Sequence, residues 1–148
     1  MPHPSRVLAL HQRMSAPQKL ALASEILIVY ARVRLWMRRG DIRAVVASIR
    51  TRPSSGAGPV DAGLLDDWLT AMRLANAVTR TLRLLPTDTR CLAQSLVLLW
   101  LLYRRAISST LVIGAHTRPQ FEAHAWIEHR GRPLLTPAGF SDDRLVEI

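Results

Sequence analysis

The sequence predicts an α+β fold built as one domain across residues 1–148. Three observations carry that expectation. Apolar residues recur at helical spacing from about residue 15 to 84, an almost unbroken apolar helix follows, and the chain beyond residue 110 switches to short β-branched or alternating runs. Helices first and a meander second argue for an antiparallel sheet rather than alternating strand–helix units. With 49% hydrophobic and 21% charged residues, the chain is neither disordered nor of low complexity. At 148 residues it can close one core without disulfide or metal staples.

Each element has its own justification. Ser15-Ala16-Pro17-Gln18 opens the first helix, with Ser at the N-cap, Pro in the first turn where its missing N–H costs nothing, and Gln placed to complete a capping box. That helix is expected to reach about Arg39 and to close on Gly40 as a left-handed residue. Asp41 caps a shorter helix ending near Arg50, and residues 51–59, rich in Pro, Ser and Gly, form a loop. A third helix starts at Asp61 or Leu64 and runs to Leu84, with Leu65, Trp68, Leu69, Met72, Ala75 and Leu82 on its apolar side. After Pro86, Thr87-Asp88-Thr89 supplies capping side chains for a helix over 91–103 that only Gln94 and Ser95 interrupt. A helix so apolar is central rather than peripheral. Strands are expected at 110–115, 121–128 and 132–136, with a fourth at the tail, 145–148. Trp36, Trp68 and Trp100 fall within apolar helical patterns and read as core.

The formal charge is +9, and 19 of the 20 basic residues are Arg. Its distribution says more than its sum, because local fields choose partners. Residues 1–56 hold ten bases and two acids, while the rest is near neutral. The domain thus divides into a helical, basic part, 1–86, and a part, 87–148, holding the apolar helix and the meander. An acidic partner, anionic lipid or plain solvation would each suit the basic part. Nucleic acid is not expected, since Tyr30 and Trp36 are too few aromatics for a stacking platform. Residues 1–14 contain no secretory apolar region, and 20–37 is broken by Ser24, Glu25, Arg32 and Arg34, short of the roughly 20 clean apolar residues of a membrane span. A cytoplasmic protein with at most peripheral membrane contact is expected. The single cysteine, Cys91, agrees with a reducing compartment.

Cys91 alone proves little, because lone cysteines are mostly buried structural residues. Its position adds more. It stands at the second or third place of a helix that Thr89 or Asp88 would cap, where unpaired amide groups and the helix dipole favour a thiolate and can form part of an oxyanion hole. A thiolate nucleophile needs a base. Of the five histidines, His3 and His11 lie in the polar N-terminal segment, His116 in an expected loop and His129 on the second turn. Only His124 falls inside a strand pattern, between Ala123 and Ala125, whose small side chains leave room for a substrate chain. A core histidine bonded to a carbonyl is the competing structural reading. A cysteine heading a central helix, with a histidine 33 residues later on an antiparallel strand, is the arrangement of a transglutaminase/papain-like core. There the imidazole takes the thiol proton and later protonates the leaving amine, while a third polar group fixes its tautomer.

Over residues 91–136 the chain also resembles a particular family. Cys91-Leu92 with Ser95-Leu96-Val97-Leu98, then Leu111-Val112-Ile113-Gly114, then Phe121-Glu122-Ala123-His124-Ala125-Trp126-Ile127-Glu128 and Gly131-Arg132-Pro133, is similar to the split leader peptidase of lasso-peptide biosynthesis, a transglutaminase-like cysteine protease family. The resemblance implies a cysteine protease that removes the leader from a ribosomally made precursor peptide, with Cys91 as nucleophile and His124 as general base. It implies a separate leader-recognition protein that presents the precursor, and an ATP-dependent macrocyclase downstream. It brings no cofactor.

That family usually has an acidic third residue on the strand after the histidine, and here this chain departs. If His129-Arg130-Gly131 is a three-residue hairpin loop with Gly131 left-handed, Glu128 pairs with Arg132 and Thr136 falls opposite His124. Thr136 is therefore expected as the orienting residue, with an acid from the tail, Asp142 or Asp143, or a different register as alternatives. Trp126 and Glu122 share a strand face with His124 and are candidate substrate contacts, with Trp126 equally placed to anchor the sheet. Gln94 and Ser95 lie one turn beyond Cys91, placed for a hydrogen bond to the site. The sequence holds no Gly-rich phosphate loop, carboxylate cluster or His/Cys metal constellation. Two other classes compete with a peptidase. One is a non-proteolytic acyltransferase or transglutaminase on the same core, recognised by an amine accepting the acyl group. The other is a non-enzymatic basic adaptor for nucleic acid or a membrane surface, whose binding would be steeply salt-dependent and indifferent to Cys91.

Overall fold

The computed structural model describes residues 14–51, 64–85, 91–116, 122–134 and 144–147. Four helices, α1 (Ala16–Met37), α2 (Ile42–Arg50), α3 (Leu64–Leu82) and α4 (Cys91–Arg104), precede four strands, β1 (Thr110–His116), β2 (Glu122–His129), β3 (Arg132–Pro133) and β4 (Arg144–Glu147). The α+β order read from the sequence is the order observed. The expected loop at 52–59, the capping residues 87–89 and Thr136 lie outside the described residues.

The helix starts follow their side chains. Ser15 N–H donates to Gln18 Oε1 at 2.8 Å, and Arg43 N–H donates to Asp41 Oδ1 at 3.3 Å. The end of α1 differs from expectation. Gly40 does not take the left-handed conformation: the helix closes on right-handed Arg38, with Arg39 N–H bonded to the Trp36 carbonyl at 2.9 Å. A tightened last turn satisfies the orphan carbonyl without a positive-φ residue, and Asp41 starts α2 at once.

The core forms around α4, where every residue from Ser95 to Leu102 is buried. Helices α1, α2 and α3 pack on it from one side and β2 from the other. Trp100 stacks on Trp36 of α1 with ring centroids 4.9 Å apart and planes 11° from parallel. Gln94 Nε2 donates to Thr79 Oγ1 of α3 at 2.8 Å, so this side chain braces two helices rather than the site. At the far end of α4, Arg104 and Arg105 reach Glu25 of α1 at 3.3 and 2.9 Å, and the Tyr103 hydroxyl donates to the Arg50 carbonyl of α2. Helix α1 is apolar on two opposite faces. Ile26, Val29 and Val33 enter the core, whereas Leu20, Leu27, Ile28 and Leu35 are exposed.

Helix α4 ends in a Schellman turn: Ala106 N–H bonds to the Tyr103 carbonyl and Ile107 N–H to the Leu102 carbonyl, both at 3.0 Å, with Ala106 at φ 56°. A Cβ in that region is strained, and Ala106 is exposed. Ala106→Gly is therefore expected to raise stability by up to about 1 kcal/mol, seen as a higher urea midpoint with an unchanged slope.

The turn sends β1 back along α4. The sheet order is β3-β2-β1-β4 with every pairing antiparallel, so the tail strand closes the β1 edge. The hairpin between β2 and β3 corrects the expected register. His129 pairs with Arg132 and Glu128 with Pro133, leaving a two-residue loop of Arg130 and Gly131 at φ 52° and 73°. Two consecutive positive-φ residues make the primed turn whose twist matches the strands, and it displaces a three-residue loop. Leu134 N–H bonds to the Ile127 carbonyl at 2.9 Å and keeps this register. The count that set Thr136 opposite His124 is thus off by one residue.

Candidate active site

Cys91 is the first residue of α4 and is partly buried against the core. Backbone amide groups at that end have no partner within the helix, so they face whatever approaches the thiol. One turn on, Ser95 is 2% exposed and its Oγ donates to the Ala125 carbonyl of β2 at 2.9 Å. The expectation that Ser95 bonds near the site therefore takes a specific form: it fixes α4 to the strand that carries His124.

The topology sets the direction of α4 against the sheet. Beyond its C-terminal end, the Ser108 carbonyl meets His129 at the close of β2, while its first turns meet Ala125 near the start of that strand. Helix α4 therefore runs along β2 in the same direction, and Cys91 and His124 lie at the same end of the layer. Strand alternation puts Ala125 and Ile127 on the face that joins the helical core, and His124, Trp126 and Glu128 on the other. Opposite His124 on β1 is Gly114, which offers no side chain across the pair.

His124 is half-buried, and that burial holds its imidazole below the ordinary histidine value. The shift favours the neutral ring, the form that can accept a proton. It stacks on Trp126, with centroids 6.2 Å apart and planes 14° from parallel. Trp126 itself is 1% exposed, and its indole Nε1–H donates to Glu128 Oε1 at 3.0 Å. The side chain is enclosed beside the His124 ring. For Glu122, the other expected contact, the backbone lies in β2 and the side chain is outside the described residues.

The remaining histidines sort themselves by geometry. His129 does not sit on the turn but ends β2, buried at 3% exposure, because the shorter loop returns it to the strand. Its Nδ1–H donates to the Ser108 carbonyl at 2.5 Å, and its ring lies 6.3 Å from Trp68. It is a structural histidine. His116 is the last residue of β1, paired with Glu122, rather than part of a loop. Asp142 and Asp143, the alternative orienting residues, lie outside the described residues, as do His3 and His11. Glu128 was missed by sequence reasoning, although a period of two from Trp126 reaches it directly. Among the described residues no group of His, Cys, Asp and Glu is placed to hold a metal ion, and no helix is long and apolar enough to cross a membrane.

Four helices thus precede an antiparallel sheet, with a cysteine at the head of the buried helix and a half-buried histidine on the second strand. The chain belongs to the transglutaminase-like superfamily, whose sequence profile matches residues 26–143. That superfamily generally contains cysteine peptidases and transglutaminases. No curated protein and no solved structure matches the chain.

Proposed function

We propose that this protein is a cysteine peptidase that removes the leader from a lasso-peptide precursor held by a separate leader-recognition protein. What supports the reading is that Cys91 heads α4 and that His124 is the neighbour of Ala125, whose carbonyl accepts from Ser95 one turn along the same helix, so the two residues fall at the same end of α4 and β2. His124 withdraws the Cys91 proton, and the thiolate attacks the carbonyl at the leader–core junction. The tetrahedral oxyanion forms beside the free amides of the α4 N-terminus. His124 then protonates the departing core amine, and water, deprotonated by the same ring, releases the leader from the thioester. Residues beyond the described ones, Thr136, Asp142 and Asp143 among them, are the candidates for holding the imidazole tautomer.

The basic helices suit the partner in this scheme. Lys19, Arg32, Arg34, Arg38, Arg39 and Arg43 lie on or beside α1 and α2, next to the exposed Leu27, Ile28 and Leu35. A presenting protein with carboxylates around an apolar patch would complement that surface, and its docking would weaken with salt. The ATP-dependent macrocyclase would act on the released core, and cytoplasmic location follows from the ribosomal origin of the precursor.

Reconstitution tests the reading. The chain, the precursor and the leader-recognition protein are mixed with an added primary amine, and products are weighed by mass spectrometry. Free leader with a water-derived carboxylate is the expected product, with an apparent KM that rises with salt. An amine-capped leader would instead identify a transferase, and an intact precursor would contradict both.

A further inference from the structure

We propose that Trp126 and Glu128 form a positioning pair for His124, in which the buried carboxylate anchors and polarises the indole beside which the imidazole lies. The inference rests on the reading of His124 as the base of the site, and it is independent of which bond is cleaved.

The three residues alternate along one face of β2, so the strand itself fixes their spacing. Glu128 is 5% exposed and Trp126 is 1% exposed, and the 3.0 Å bond joins the indole N–H to a carboxylate oxygen. A buried indole donor satisfied by an anion is held in one rotamer, and the charge-assisted bond draws positive character to the N–H edge. Electron density on the ring face rises in consequence. The His124 ring is nearly parallel to the indole and offset along the strand, at 6.2 Å between centroids. When the imidazole accepts a proton it becomes a cation beside that indole, which stabilises the charged form.

The pair answers a difficulty the site creates for itself. Burial disfavours a charged His124, yet catalysis requires the imidazolium to form transiently. Stabilisation that acts only on the charged form lowers the barrier without weakening the neutral base. Trp126 and Glu128 supply it from within the same strand, so it does not depend on which residue meets the far nitrogen of the ring. Other ionisable groups at this end of the sheet are Cys91 at the start of α4, Glu122 on β2, His116 on β1 and Arg144 on β4, which pairs with the Gly114 that faces His124, and they are common to every variant below.

Glu128→Gln keeps the size and an acceptor for the indole but removes the charge. Trp126→Phe keeps an aromatic face but removes the anchoring N–H. The His124 ring is titrated by NMR in the full chain, and kcat and KM for leader release are measured on the same preparations. Each variant is expected to lower the His124 pKa further and to lower kcat by roughly 3- to 30-fold with KM unchanged. A merely structural role would lower melting temperature while leaving the titration where it is. An unchanged titration with unchanged kcat in both folded variants would overturn the pair. If Cys91→Ala still released leader, the peptidase reading would fail by itself, and the titration would continue to decide the pair.

Discussion

Cys91→Ala is expected to abolish leader release, and His124→Ala to lower kcat by about 10²–10⁴-fold, with both variants folded. The thiol is partly buried at the head of α4, and the residues that hold that helix, Ser95 to Leu102, lie beyond the substituted side chain. Loss of activity therefore reports chemistry rather than collapse, which a far-ultraviolet circular dichroism spectrum and an unchanged urea midpoint would verify. In the proposed mechanism the imidazole also sets the acid limit of the reaction. Its folded pKa lies below the ordinary value of 6.5, so the ring stays neutral and able to accept a proton further into acid, and the acid limb of kcat/KM is expected below that value. The same depression has a stability consequence of fixed sign. As pH falls through 6.5 the unfolded chain binds the proton first, so stability declines with acidification until the folded ring protonates too. His124→Gln removes that decline.

Trp100→Ala is expected to cost about 3–5 kcal/mol of folding free energy. Trp100 is 2% exposed in the middle of α4 and stacks on Trp36 of α1, so its loss opens a cavity and removes an aromatic pair at the junction of two helices. Because domains of this size hold only about 5–15 kcal/mol in reserve, the variant would lie near the threshold of unfolding. Chemical denaturation gives the value, and a cycle with Trp36→Ala separates the stack from the cavity. Helix α4 is also the helix that presents Cys91, and activity is expected to fall with the folded fraction. A shortfall in activity at low temperature, where the variant is folded, would show that Trp100 also shapes the site.

Much of this was legible in residue order because local signals agreed with the tertiary outcome. Ser15 with Gln18, Asp41 and the unbroken apolar run after Cys91 each name a helix before any contact is known. The tail strand was legible as well, and it pairs with β1. Gly40 was misleading because a glycine after a helix permits a left-handed cap without requiring one. The hairpin register turned on one residue. Arg130 takes a positive φ that an arginine adopts only when the twist of both strands demands it, and no local rule prefers Arg-Gly to His-Arg-Gly as the loop. At the site, the alternation that linked Trp126 to His124 was visible, but burial was not. Whether an indole walls a cleft or lies enclosed beside a histidine depends on what packs over it from distant parts of the chain. The Ser95–Ala125 bond spans 30 residues and follows from the same packing.

The central claim is that the thiol at the head of α4 and the imidazole of His124 act as one unit. Since Cys91 is the only cysteine in the chain, alkylation by iodoacetamide reports that thiol alone, and its rate can be followed from pH 4 to 10 in the wild type and in His124→Ala. A coupled pair predicts faster alkylation near neutral pH in the wild type than in His124→Ala, because the neutral imidazole accepts the thiol proton as the new bond forms. Superimposable profiles for the two proteins would contradict the claim.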